Sequence, residues 1–178
     1  MSTTNILAEI IVVGTFSFLW TVPIFINFWD NVCLQSLIKL NFKSTIIFLA
    51  VIYFLGTISN FIADKLFFGI DKYIVKKHGG KNQVRTNRTK IILKSSDATA
   101  YLFQRRSFVR IFRANSMNCF LGAVVVYFNV GNVTNIFSFN KSYLSLFLAI
   151  VAVLSFWAYT VTLSGYFSYV NQTGGMLE

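Results

Sequence analysis

Histidine occurs once, cysteine twice and acidic residues six times in these 178 residues, and those scarcities exclude whole classes of function. A metal centre needs several His, Cys or carboxylate ligands at set spacing, and none of His78, Cys33 and Cys119 has a second ligand nearby. An acid–base or nucleophilic enzyme needs a constellation of groups, and no two of those present stand at a recognised catalytic spacing. No enzymatic activity and no cofactor are therefore expected. Proline occurs once, at Pro23, so little interrupts long helices. Charge is scarce as well: 12% of residues are charged, against about 25% in an average soluble domain.

In place of charge stand 55% hydrophobic residues and twenty Phe. They gather into four runs, residues 6–29, 44–68, 114–137 and 143–170, each near the length of about 20 residues that crosses a bilayer. The expected fold is an all-α integral membrane protein of four transmembrane helices, with a basic cytoplasmic insertion between the second and third. The first run carries Glu9 but no Lys or Arg and is long for a signal peptide, so it reads as a retained helix. Glu9 lies about a turn from its start and is expected to reach the headgroups, with a buried functional carboxylate as the alternative. Gly14, Ser17 and Thr21 share one side, as do Gly56, Asn60 and Asp64 in the second run, and such small or polar faces belong against another helix. The third run is the least apolar. Its stripe of Asn115, Asn118, Gly122, Val125, Asn129 and Asn132 suits a helix contact, with a pore lining as the alternative. In the fourth, Ser155, Tyr159, Thr162 and Tyr166 share a face.

The division is then residues 1–63 for the first two transmembrane helices, 64–113 for the basic module and 114–178 for the last two. Thirteen of the 16 Lys and Arg fall between Asp64 and Asn115 against three acids, so this stretch carries the +10 charge of the whole chain. Positive residues favour the cytoplasm, which places the module and both termini inside, in a bacterial inner membrane. Residues 71–95 lose helical periodicity, and the pieces flanking their basic, glycine-containing centre suit a small β-hairpin or a mobile loop. His78 beside Gly79 and Gly80 reads as a solvated basic turn. Ser96 and Asp97 open a helix on which Arg106, Arg110 and Arg113 align, with Tyr101, Phe108, Ile111 and Phe112 opposite. Asp64 ends one span where Arg110 and Arg113 begin the next, so a pair between them is expected at the base of the module.

Anionic lipid headgroups suit such a module, at about 1 kcal/mol per juxtamembrane cation. An insertion of this length exceeds what a helix connection needs, however, so Lys76, Lys77, Lys81, Arg85, Arg88, Arg105 and Arg106 are candidate contacts for a cytosolic protein. Nucleic acid would be reached only indirectly, through that partner. The arginine run of Arg105, Arg106, Arg110 and Arg113, the four spans and the single basic insertion resemble the small membrane subunits of bacterial anti-phage defence systems, such as the membrane component of the Kiwa system. The resemblance implies an oligomeric membrane sensor that works with a cytosolic effector. The composite expectation is a non-enzymatic, homo-oligomeric membrane subunit whose module docks a partner. The alternative is an ion channel or permeabilising effector lined by Asn118, Gly122 and Asn129.

Overall fold

The computed structural model describes residues 3–26, 42–128 and 140–176. Trp29, Cys33, Asn129 and Asn132 lie outside them. The described residues form six helices and no strand: α1 (Thr3–Ile26), α2 (Phe42–Leu66), α3 (Phe68–Lys77), α4 (Gly80–Lys94), α5 (Ser96–Tyr127) and α6 (Lys141–Met176). Three of them, α1, α2 and α6, contain stretches long and apolar enough to cross a membrane. The first half of α5 is charged and its apolar half, residues 114–127, is short within the described residues, so α5 is not among them.

α5 and α6 form the long antiparallel hairpin of the molecule. Ser145 donates to the Ala123 carbonyl at 3.0 Å, Ser116 donates to that of Ala152 at 3.1 Å, and the Tyr101 and Tyr169 rings lie 4.7 Å apart. Bonds of this kind satisfy hydroxyls that lipid cannot. α1 packs on α5 and on α2. The α1–α2 crossing is close because glycine stands on both sides: a Cβ at Gly14 would overlap the Ile52 carbonyl oxygen, and one at Gly56 would overlap that of Ile10. Ser17 and Ser59, both buried, share a 2.6 Å hydrogen bond in the same interface.

Residues 71–77 and 80–94 are helical, which corrects the hairpin or mobile-loop reading. α2 runs almost unbroken into α3, since the Phe67 amide donates to Ala63 and its carbonyl accepts from Asp71, both at 3.0 Å. The chain reverses at Gly79 and Gly80, with φ of +92° and +83°, a conformation in which a Cβ is strained. Weak periodicity hid α4 because it buries little of its own surface, chiefly Val84 and Ile91. These join Ile74, Leu102, Val109, Leu163, Tyr166, Phe167 and Val170 in one core, so the module borrows most of its interior from α5 and α6. Ser95, rather than Ser96, caps α5, accepting from the Ala98 amide at 3.3 Å.

Gly14→Ala and Gly56→Ala should each destabilise the protein by about 1–3 kcal/mol, the usual cost of overpacking. Gly69→Ala, where an added Cβ meets nothing, should leave stability unchanged or raise it by about 0.4–1 kcal/mol. Denaturant titration in mild detergent measures all three.

Candidate functional site: a charged layer beneath a basic cleft

The end of α2, the start of α3, the middle of α5 and the middle of α6 meet around one guanidinium. Arg113 places Nη2 on Asp64 Oδ1, and its Nη1 donates to Asp71 Oδ2 at 2.8 Å. The Tyr159 hydroxyl donates to the other Asp71 oxygen. The Arg113 side chain is 9% exposed, that of Asp71 29% and that of Asp64 56%, so the pair with Asp71 is the better shielded of the two. Planar and permanently charged, a guanidinium suits such two-sided contact where a lysine would not. One turn earlier, Arg110 takes a different partner, Glu9 of α1, at 2.9 Å.

Glu9 is 3% exposed, which corrects the expectation that it reaches the headgroups. Its position near the helix start suggested freedom, but the packing of α1 on α5 sets Arg110 beside it. Losing Arg110 would leave the Glu9 carboxylate buried without its partner, a change that commonly costs about 3–5 kcal/mol, so the α1–α5 contact is selective as well as close.

These charges form a layer at one level of the bundle. At 1.5 Å rise per residue, Glu9 to Ile26 spans about 25 Å, Tyr159 to Lys141 about 27 Å and Asp64 to Phe42 about 33 Å. An apolar slab of that depth matches a hydrocarbon core of about 30 Å. The layer therefore marks one boundary of the slab, and the basic helices lie beyond it.

A cleft of about 1010 Å³ opens there between the α2–α3 junction, α4, α5 and α6. Lys81, Arg85 and Arg88 of α4 line one side and Arg106, Arg110 and Arg113 of α5 another. No carboxylate is ion-paired with Lys81, Arg85, Arg88 or Arg106 among the described residues. Desolvation by the surrounding protein lowers the Arg106 pKa from its ordinary value, and the charge of Arg88 lowers it further. The guanidinium keeps its proton throughout the working range.

α4 is fixed over this cleft by α6. Asn171 Nδ2 donates to the His78 carbonyl at 2.8 Å, while its Oδ1 accepts from Asn87 at 3.2 Å. The His78 ring is half-buried, with Nδ1 2.9 Å from the Ile74 carbonyl and Nε2 3.4 Å from the Ser164 hydroxyl. In the neutral ring Nδ1 is then the donor, because a carbonyl only accepts. His78 is a docking residue of the module, not the solvated turn expected from its glycine neighbours.

Of the residues singled out in the sequence, Lys81, Arg85, Arg88 and Arg106 thus come together. Lys76 and Lys77 are exposed on the last turn of α3, outside the cleft lining. Arg105 is elsewhere: it donates to the Tyr101 hydroxyl at 2.7 Å and lies over that ring. Asn118 is fully buried. It donates to the Val13 carbonyl at 3.1 Å and Ser17 Oγ at 3.2 Å, and accepts from Trp20 Nε1 at 3.0 Å. Gly122 packs against Leu19, so this part of the stripe faces α1. Sequence reasoning missed Asp71, although its seven-residue spacing from Asp64 puts both on one face of a continuous helix. Among the described residues no group of three or more His, Cys, Asp or Glu is placed to hold a metal ion. Comparisons with protein-family models, curated proteins and solved structures find no match to this chain.

A double-mutant cycle separates the two acids of the layer. Asp71→Asn with Arg113→Gln should show a coupling of about 1–3 kcal/mol. Asp64→Asn with Arg113→Gln should show less, about 0.2–1 kcal/mol, because Asp64 is more exposed. Equal or absent couplings in detergent unfolding would contradict the geometry.

Proposed function

We propose that this chain is a non-enzymatic, homo-oligomeric subunit of a bacterial inner membrane that holds a rigid basic platform at the cytoplasmic face for an acidic partner protein. It crosses the membrane four times, with the second half of α5 as the third crossing. Support for that crossing comes from residues 114–127, which bond to α1 through Asn118 and to α6 through Ser116, and from the run that continues in the sequence to residue 137 without a charged residue. The excess of Lys and Arg in the module supports its cytoplasmic side, and with it both termini inside.

The platform itself carries the reading. Lys76, Lys77, Lys81, Arg85 and Arg88 stand on two short helices without an ion-pair partner among the described residues. Those helices are held to α6 through His78, Asn87 and Asn171. A segment that served only to orient the hairpin would need the charge but not the fixed geometry. Cations on a rigid support steer an acidic surface and set its register. The hydrogen bonds that occupy Asn118 favour this reading over a channel lined by that residue. A place in anti-phage defence follows from the family resemblance alone.

Replacing Lys76, Lys77, Lys81, Arg85 and Arg88 by Gln leaves eight of the thirteen module cations. That number still suffices for topology. The variant should accumulate in the membrane in the same orientation and lose the cytosolic protein that cross-links to the wild type. Inversion or failure to accumulate would reduce the module to a topology signal. Conductance by the purified wild type in planar bilayers, without a partner, would favour the channel.

A further inference from the structure

The cleft beside Arg113 combines features that a protein-docking surface does not require. Arg88 on α4 and Arg106 on α5 line the same space and neither is ion-paired among the described residues, while the two carboxylates that also line it, Asp64 and Asp71, are both committed to Arg113. Such a juxtaposition costs energy unless an anion screens it. Arg110 and Arg113 also line the cleft, and their buried Nε groups have no hydrogen-bond partner among the described residues, a state in which buried donors are rarely left.

Apart from Asp64, Lys65, Asp71 and Thr89, the rest of the lining is mainly apolar, with Val84, Val109, Leu163 and Phe167 buried and Phe61 and Phe68 exposed at the mouth. Those two phenylalanines are 64% and 65% exposed. Phe61 continues the exposed apolar face of α2 that includes Phe54, so the mouth is continuous with the surface that meets the hydrocarbon slab. Sites for drug-sized ligands run from about 300 to 1,000 Å³, so the volume admits a whole headgroup. Cations on one side, aromatic side chains on the other and a position at the slab boundary match a molecule that is anionic at one end and apolar at the other.

We propose that this cleft binds one anionic phospholipid of the inner leaflet, its phosphate held by Arg88 and Arg106 and its acyl chains leaving past Phe61 and Phe68. A soluble phosphate compound shares the headgroup chemistry but makes no use of the apolar mouth. The bound lipid screens Arg88 from Arg106 and bridges α4 to α5, so the basic platform is complete only in a membrane that supplies it. The proposal rests on the chain lying in a membrane and not on partner docking, and its test uses the purified protein alone.

The test is native mass spectrometry of the protein in neutral detergent, titrated with phosphatidylglycerol or phosphatidylcholine. Wild type should retain one phosphatidylglycerol per chain and discriminate against phosphatidylcholine, and millimolar inorganic phosphate should not displace the lipid. Arg88→Gln with Arg106→Gln should weaken phosphatidylglycerol retention about tenfold or more, the scale of one lost charge-assisted hydrogen bond. A charge-matched control, Lys72→Gln with Lys141→Gln, removes two cations outside the cleft and should bind as wild type does. If the double arginine variant fails to fold, Arg88→Gln alone is read in the same titration, since that half-buried side chain makes no hydrogen bond of its own among the described residues. Equal retention by cleft variant and wild type, or by the control and the cleft variant, overturns the proposal. So does equal binding of the two lipids, and displacement by phosphate alone would make the cleft a free-anion site.

Discussion

Arg113 is a permanent charge at the edge of an apolar slab, and the structure is arranged so that it is never alone. Its two Nη nitrogens reach acids on α2 and α3, and Tyr159 of α6 closes the set from the far side of Asp71. Four helices are joined by one side chain, and Arg110 with Glu9 adds the fifth, α1. Hydrophobic association cannot order helices in lipid, because the tails are as apolar as the side chains. Direct contacts must supply the register. Here they are the glycine crossing of α1 and α2, the Asn118 bonds to α1, and this charged layer, which alone also reaches the basic module.

That connection acts together with the bonds that Asn171 makes with His78 and Asn87 in holding the module. α3 and α4 together bury only a few side chains of their own, and helices of ten and fifteen residues are marginal in isolation. They persist because α6 runs past the charged layer to Met176 and offers them Leu163, Phe167 and Asn171. The same extension supplies the back wall of the cleft. Platform, cleft and charged layer are therefore one unit, so a change at Arg113 should be felt on α4, with which it makes no hydrogen bond or ion pair among the described residues.

Much of this was legible in the sequence, but unevenly. The apolar helices show in run length, and Asp64 and Arg113 are visible as charges at the ends of neighbouring runs. Glu9 was misplaced because a carboxylate near a helix start looks solvated until the helix packed against it is known. The helices of residues 71–95 were hidden for a related reason. Ile74, Val84 and Ile91 are too sparse to form a stripe by themselves, and their burial depends on α5 and α6 rather than on local pattern. Asn118 could be read as a stripe residue, but whether its amide faced water or a neighbouring helix depended on the position of Val13, Ser17 and Trp20. In each case the missing information was which face of a distant helix lay opposite.

The central claim, that the Arg113 layer holds the basic module in place, is tested most directly by amide hydrogen exchange on the protein in lipid nanodiscs. In the wild type, the amides of α3 and α4 should be protected to a degree approaching those of α6 at residues 159–170. In Arg113→Gln that protection should collapse across α3 and α4, while the apolar parts of α1, α2 and α6 keep theirs. Unchanged protection of α3 and α4 in the variant would contradict the account, since the module would then be held by its packing and hydrogen bonds on α5 and α6 without the charged layer.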